Sequence, residues 1–90
     1  MKSYHVEYDK AAQKAIDKLD NPIRKRIMKY ISTYLEGCAD PRWKGKNLVE
    51  YPNANWRYRV GDYRIIADIQ DEKIVILVVD VDKRNDVYKK

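Results

Sequence analysis

Phenylalanine is absent from this chain of 90 residues, and cysteine and histidine occur once each, as Cys38 and His5. A lone thiol excludes an intramolecular disulfide and suits a reducing compartment, where such a cysteine is usually a small buried hydrophobe. With one cysteine and one histidine the usual ligand set of a zinc site is missing. No apolar run reaches the length of a membrane span and no apolar signal-peptide core opens the sequence, so a cytoplasmic location without a membrane partner is expected. Internal repeats, low-complexity tracts and linker-like stretches are also lacking, and one domain over residues 1–90 is expected.

What the chain has in excess is positive charge: nineteen Lys and Arg against fourteen Asp and Glu, a net +5. That balance suits nucleic acid, an acidic protein partner, or both. A chain of this length buries roughly 60–65% of its unfolded surface, too little to enclose a deep cofactor cavity easily. A shallow surface site without a small-molecule cofactor is expected.

Residues 2–8 alternate as a short strand, with Tyr4, Val6 and Tyr8 on one side and Ser3, His5 and Glu7 on the other. Asp9 is placed to cap a helix whose stripe is Ala12, Ala15, Ile16 and Leu19. After Asp20-Asn21-Pro22, with Asn21 as cap, a second helix is expected to bury Ile23, Ile27, Tyr30, Ile31, Tyr34 and Leu35 until Gly37 stops it. On this spacing its tyrosines read as core, and Arg24, Lys25, Arg26 and Lys29 as solvated. Residues 38–55 read as a long loop with a short turn near Trp43–Leu48. The continuous run Ile74–Val79 argues for a strand covered on both faces. Asp80 and Asp82 at its end can share a face, where ion pairing with Lys83 or Arg84 is simpler than a metal site.

The chemistry concentrates in Trp56-Arg57-Tyr58-Arg59-Val60-Gly61-Asp62-Tyr63-Arg64-Ile65-Ile66 and in the closing Lys83-Arg84-Asn85-Asp86-Val87-Tyr88. With Gly61-Asp62 as the central pair of a hairpin turn, Val60 faces Tyr63 and Arg59 faces Arg64. Strand alternation then brings Arg57 to the same side and turns Trp56, Tyr58 and Val60 to the other. Like charges directly opposite one another oppose pairing, which makes more sense if a phosphate sits between them. A half-exposed sheet face that is merely solvated carries the same pattern. Taken alone, these residues favour a basic nucleic-acid binder over a nuclease.

The order strand, helix, helix, three strands, together with the Trp-Arg-x-Arg-Val-Gly-Asp-Tyr-Arg-Ile-Ile hairpin and the terminal Lys-Arg-x-x-Val-Tyr, resembles the RelE branch of the RelE/ParE toxin superfamily over nearly the whole chain. The resemblance implies an α+β fold: an N-terminal strand, a two-helix hairpin and an antiparallel three-stranded meander, with the helices packed on one face of the sheet. It also implies the toxin of a type II toxin-antitoxin system, held by a RelB-like antitoxin, that cuts messenger RNA in the ribosomal A site against ribosomal RNA. The implied reaction is metal-independent attack of a ribose 2′-hydroxyl on the adjacent phosphate, leaving a 2′,3′-cyclic phosphate. Carried over by position, Arg57, Arg64, Arg84 and Tyr88 are the implied catalytic residues, and Arg59, Lys44, Lys46 and Lys83 the implied RNA contacts. The family often has lysine where Arg57 and Arg59 stand, and a guanidinium stays protonated where a lysine can be tuned. The alternatives on this fold are a ParE-like DNA gyrase inhibitor and a non-catalytic RNA-binding module.

Overall fold

A carboxylate fixes the first corner of the chain. Strand β1 (His5–Tyr8) buries Val6 and leaves His5 and Glu7 exposed, and extended Asp9 follows it. Asp9 accepts a hydrogen bond from the Ala12 amide at 2.9 Å, which satisfies one of the unpaired donors at the start of α1 (Lys10–Asp17). Ala12 and Ile16 form its buried stripe. The next helix, α2 (Asn21–Tyr30), starts one residue earlier than the sequence suggests: Asp20 is the cap, Asn21 is already helical, and Pro22 lies in the first turn. Arg24 is not simply solvated. Its Nη2 donates to the Leu19 carbonyl at 2.9 Å and its Nε to that of Ile16 at 3.3 Å, closing the end of α1.

The structure, a computed structural model, describes residues 2–49 and 51–83. Beyond α2 the chain widens into a π turn (Ile31–Leu35), in which the Glu36 amide donates to the Ile31 carbonyl at 2.9 Å. A turn of this kind shifts the helical phase by a residue. Ile31 and Leu35 remain buried, but Tyr34, expected in the core, is exposed.

Four further strands follow: β2 (Lys46–Asn47), β3 (Trp56–Val60), β4 (Tyr63–Gln70) and β5 (Val75–Lys83). They form one sheet in the order β1-β5-β4-β3-β2, with β1 parallel to β5 and every other pair antiparallel. The expected three-stranded meander is present and is widened by β2, a two-residue strand within the stretch 38–55 expected as a loop. Ile74 falls in the turn before β5 rather than in the strand, with φ 56°, a left-handed geometry unfavourable for a β-branched residue.

The helices cover one face of the sheet. Ile16, Ile27, Ile31 and Leu35 pack there with Tyr58, Val60, Ile65, Ala67, Ile76, Val78 and Val81. On the other face Leu48 packs on Ile66 and Val79, joined by half-buried Tyr51, Ala54 and Leu77, so the chain after β2 folds over the sheet centre. β4 and β5 are therefore covered on both sides, in keeping with their apolar runs. A bulge breaks the ladder where Ile66 pairs with Asp80 but Ala67 pairs with Val78. It flips the parity of β5: Ile76 and Val78 join Val81 on the helix side, while Asp80 and Asp82 turn to the opposite face. Among the described residues no helix is long and apolar enough to cross a membrane.

Candidate functional site

The β3–β4 hairpin turns at Gly61-Asp62, with φ 59° at Gly61 and no positive φ at Asp62, the signature of a tight two-residue turn with glycine first. That turn fixes the register: Val60 pairs with Tyr63, Arg59 with Arg64, Tyr58 with Ile65 and Arg57 with Ile66. Arg57, Arg59 and Arg64 consequently share the face turned away from the helices, as the alternation predicts. At the sheet edge Lys46 pairs with Arg57 and extends the same face.

Beside this face lies an open cleft of about 490 Å³. Five cations line it: Lys44, Lys46, Arg57, Arg59 and Arg64. Gly45 and the rings of Tyr30 and Tyr58 complete the lining, and among the described residues no carboxylate does. The approach of the Lys44–Lys46 segment to β3 depends on Gly45. Its φ is 88°, and a Cβ there would run into the Arg57 carbonyl oxygen and come within 2.6 Å of Trp56 Nε1. Two hydrogen bonds pin the segment from below. Trp56 Nε1 donates to the Lys44 carbonyl at 2.8 Å, and the buried Tyr58 hydroxyl donates to the Pro41 carbonyl at 2.6 Å.

Arg64 is held from the neighbouring strand. Its Nε and Nη2 donate to the two carboxylate oxygens of Asp82 at 3.1 and 3.0 Å, a fork-on-fork contact between half-buried side chains. The Tyr51 hydroxyl donates to Asp82 at 2.9 Å and lies 3.4 Å from Asp80. Burial, and then the hydrogen bond to Asp82, push the Tyr51 phenol up to about 12, so it stays a neutral donor at physiological pH. The two aspartates thus serve Arg64 and Tyr51 rather than Lys83. Among the described residues, no three of His, Cys, Asp and Glu gather where they could hold a metal ion.

Of the residues singled out in the sequence, Lys44, Lys46, Arg57, Arg59 and Arg64 come together around the cleft. Lys83 does not line it; it pairs across the ladder with Tyr63, whose ring packs on the helix-side core. Arg84 and Tyr88 lie outside the described residues. The sequence reading missed the grip of Asp82 on Arg64 and the part of Tyr51 in it, because the bulge that turns Asp82 toward Arg64 has no residue signature. It also missed the exposed pair Tyr34 and Trp43 beside the cleft.

A family model described as the ParE toxin of the type II toxin-antitoxin system parDE matches residues 6–88. The mRNA interferase toxin RelE of Escherichia coli K12 is 30% identical over 89 residues, covering 96% of this chain and 90% of the relative. Among solved structures, the isolated Escherichia coli RelE toxin superimposes with a TM-score of 0.72 at 28% identity, covering 96% of this chain and 92% of that one. The toxin-antitoxin complex RelBE2 of Mycobacterium tuberculosis gives a TM-score of 0.79 at 26% identity, with 93% and 94% of the two chains covered.

Proposed function

The chain is a RelE-like member of the ParE toxin family of type II toxin-antitoxin systems, and from that premise we propose that it is a metal-independent endoribonuclease that cuts messenger RNA in the ribosomal A site. The observation that carries this reading is the convergence of Arg57, Arg59 and Arg64 with Lys46 on one cleft that no carboxylate lines among the described residues. Such a surface matches a ribose-phosphate backbone.

The nucleophile is the substrate's own 2′-hydroxyl, which attacks the adjacent phosphorus as the bond to the 5′-oxygen of the next nucleotide breaks. A 2′,3′-cyclic phosphate and a 5′-hydroxyl remain. Charge grows on the non-bridging oxygens along this path, and fixed guanidinium groups stabilise it best when they need not reorganise. Arg64, oriented by Asp82, takes that role. Arg57 and Arg59 neutralise the flanking phosphates. Arg84 is assigned to the leaving oxygen. Tyr88 is assigned to stacking on the target base, with proton abstraction from the 2′-hydroxyl as its secondary role.

Arginines remain protonated and shuttle protons poorly. Alignment must then supply much of the rate, and the ribosome supplies it by holding the message in place. A cytoplasmic site of action and an acidic RelB-like antitoxin that neutralises the +5 chain belong to the same proposal. Because the matching family model is the ParE type, DNA gyrase inhibition is the second reading. Mapping 5′ ends of a translated message with and without the protein tests the first, and a supercoiling assay tests the second. New 5′-hydroxyl ends on ribosome-bound message, with supercoiling untouched, are expected. Efficient cutting of free RNA contradicts ribosome dependence, and supercoiling inhibition without new ends overturns the nuclease.

A further inference from the structure

A second groove of about 400 Å³ continues the cleft around the sheet edge onto α2. Tyr30, Lys44 and Arg59 line both, so the two form one track. Arg26 and Lys29 add charge from the helix, and no carboxylate lines this groove among the described residues. Two aromatic side chains that the core does not use mark its end: Tyr34, 39% exposed, lines it, and Trp43, 57% exposed, stands beside Tyr34 where the surface passes into a neighbouring hollow that Glu36 and Asp40 also border. Their ring centroids lie 6.2 Å apart. Lys44 Nζ bridges them, 4.6 Å from the Tyr34 centroid and 4.7 Å from that of Trp43. Tyr30, 5.0 Å from Tyr34 and 6.3 Å from Tyr58, carries the aromatic row inward to the cleft lining.

Cations alone suit any polyanion, and exposed rings alone suit any apolar partner. A base-bearing polyanion uses both at once, its phosphates on the cations and a base on a ring. We propose that Trp43 and Tyr34, with Lys44 between them, form a stacking subsite for an unpaired nucleotide of single-stranded RNA that continues out of the arginine cleft. The subsite rests on the RNA-binding reading of that cleft and extends it by a further nucleotide. A cationic lysine over two rings orders the platform before RNA arrives, and its ammonium faces the phosphate of the nucleotide that stacks there.

The test compares a short 2′-O-methyl oligonucleotide, which the reaction cannot cut, with an abasic oligonucleotide of equal length, read by binding and by tryptophan fluorescence. The chain has two tryptophans, so Trp56 remains as an internal reference when Trp43 is replaced. The base-bearing strand is expected to bind the wild type more tightly than the abasic one and to quench its emission. Trp43→Ala should weaken that binding about 10-fold and remove most of the quench, with abasic binding unchanged. Tyr34→Ala should act in the same direction, and Trp43→Phe should restore most of the affinity. Equal affinity of the wild type for both strands overturns the subsite, as does a Trp43→Ala variant that keeps RNA affinity but loses affinity for an acidic peptide. Cleavage of ribosome-bound message by the wild type is scored separately. Cutting without a base-dependent difference removes the subsite and leaves the nuclease, whereas a base-dependent difference without cutting does the reverse.

Discussion

Asp82 grips Arg64 through both carboxylate oxygens, at 3.0 and 3.1 Å, and so fixes one of the two guanidinium groups that face each other across the hairpin ladder, the other being Arg59. The grip offsets a like-charge pair and orients the fork. If Arg64 stabilises the transferring phosphoryl group, Arg64→Ala should lower cleavage of ribosome-bound message by about 100-fold, the usual cost of losing one preorganised donor. Arg64→Lys should recover little, since an ammonium cannot reproduce the fork. Asp82→Asn keeps one acceptor and should cost less than Arg64→Ala, with the loss in the cleavage step rather than in RNA affinity. Single-turnover cleavage beside oligonucleotide binding separates the two. An Asp82→Asn variant that cleaves at the wild-type rate removes the orienting role.

Gly45 sets the width of the cleft through backbone geometry. Alanine there faces both a left-handed φ of 88° and the Arg57 carbonyl. The backbone term alone costs about 1–2 kcal/mol, and the collision adds to it unless β2 moves off β3. Gly45→Ala should shift urea denaturation to lower midpoints and should weaken RNA binding, because Lys44 and Lys46 move with the segment. A variant as stable as the wild type with unchanged binding shows that the segment tolerates displacement.

In the turn between β4 and β5, Asp71 accepts both Nη groups of Arg42 at 3.0 and 3.1 Å and the Tyr4 hydroxyl at 2.7 Å. The Arg42 contact above all, and then Tyr4, hold its carboxyl at about 2, below the ordinary 3.8. The ionised form therefore favours the folded state at pH values above the unfolded-state value, and that contribution disappears as pH falls from about 4 toward 2. Asp71→Asn should lower stability near neutrality, where the ionised form contributes in full, and flatten the profile between about pH 4 and 2, where the variant and the wild type converge, as thermal melts from neutral into the acid range will report. An unchanged acid limb removes Asp71 from the titration.

The hairpin was legible in the sequence because one glycine and strict alternation determine both its turn and its register, and those place Arg57, Arg59 and Arg64 together. The Asp9 cap was legible for a similar reason, since its physics is local. What escaped depends on departures from regular period. Lys46-Asn47 pairs by backbone alone, and two residues carry no alternation to read. The bulge opposite Ile66 reverses the parity of β5, so the partner of Asp82 could not be inferred from counting. The π turn shifts the phase after Tyr30, which moves Tyr34 from the expected core stripe to the surface beside Trp43.

Arg59 separates a functional face from a merely solvated one. It is exposed, stands opposite Arg64, and forms no ion pair among the described residues. Removing it relieves like-charge repulsion without opening the core, so Arg59→Ala should leave stability unchanged or raise it by a few tenths of a kcal/mol, on the order of a cross-strand pair. The same change removes a phosphate contact. RNA affinity should fall, and the slope of log affinity against log salt should become shallower by about 0.7 units, the share of one contact on a single strand. Opposite effects on stability and binding are the expected mark of a charge kept for its ligand. Equal salt slopes for Arg59→Ala and the wild type place Arg59 on the solvated surface instead and reduce the phosphate-binding set to Arg57, Arg64 and the lysines.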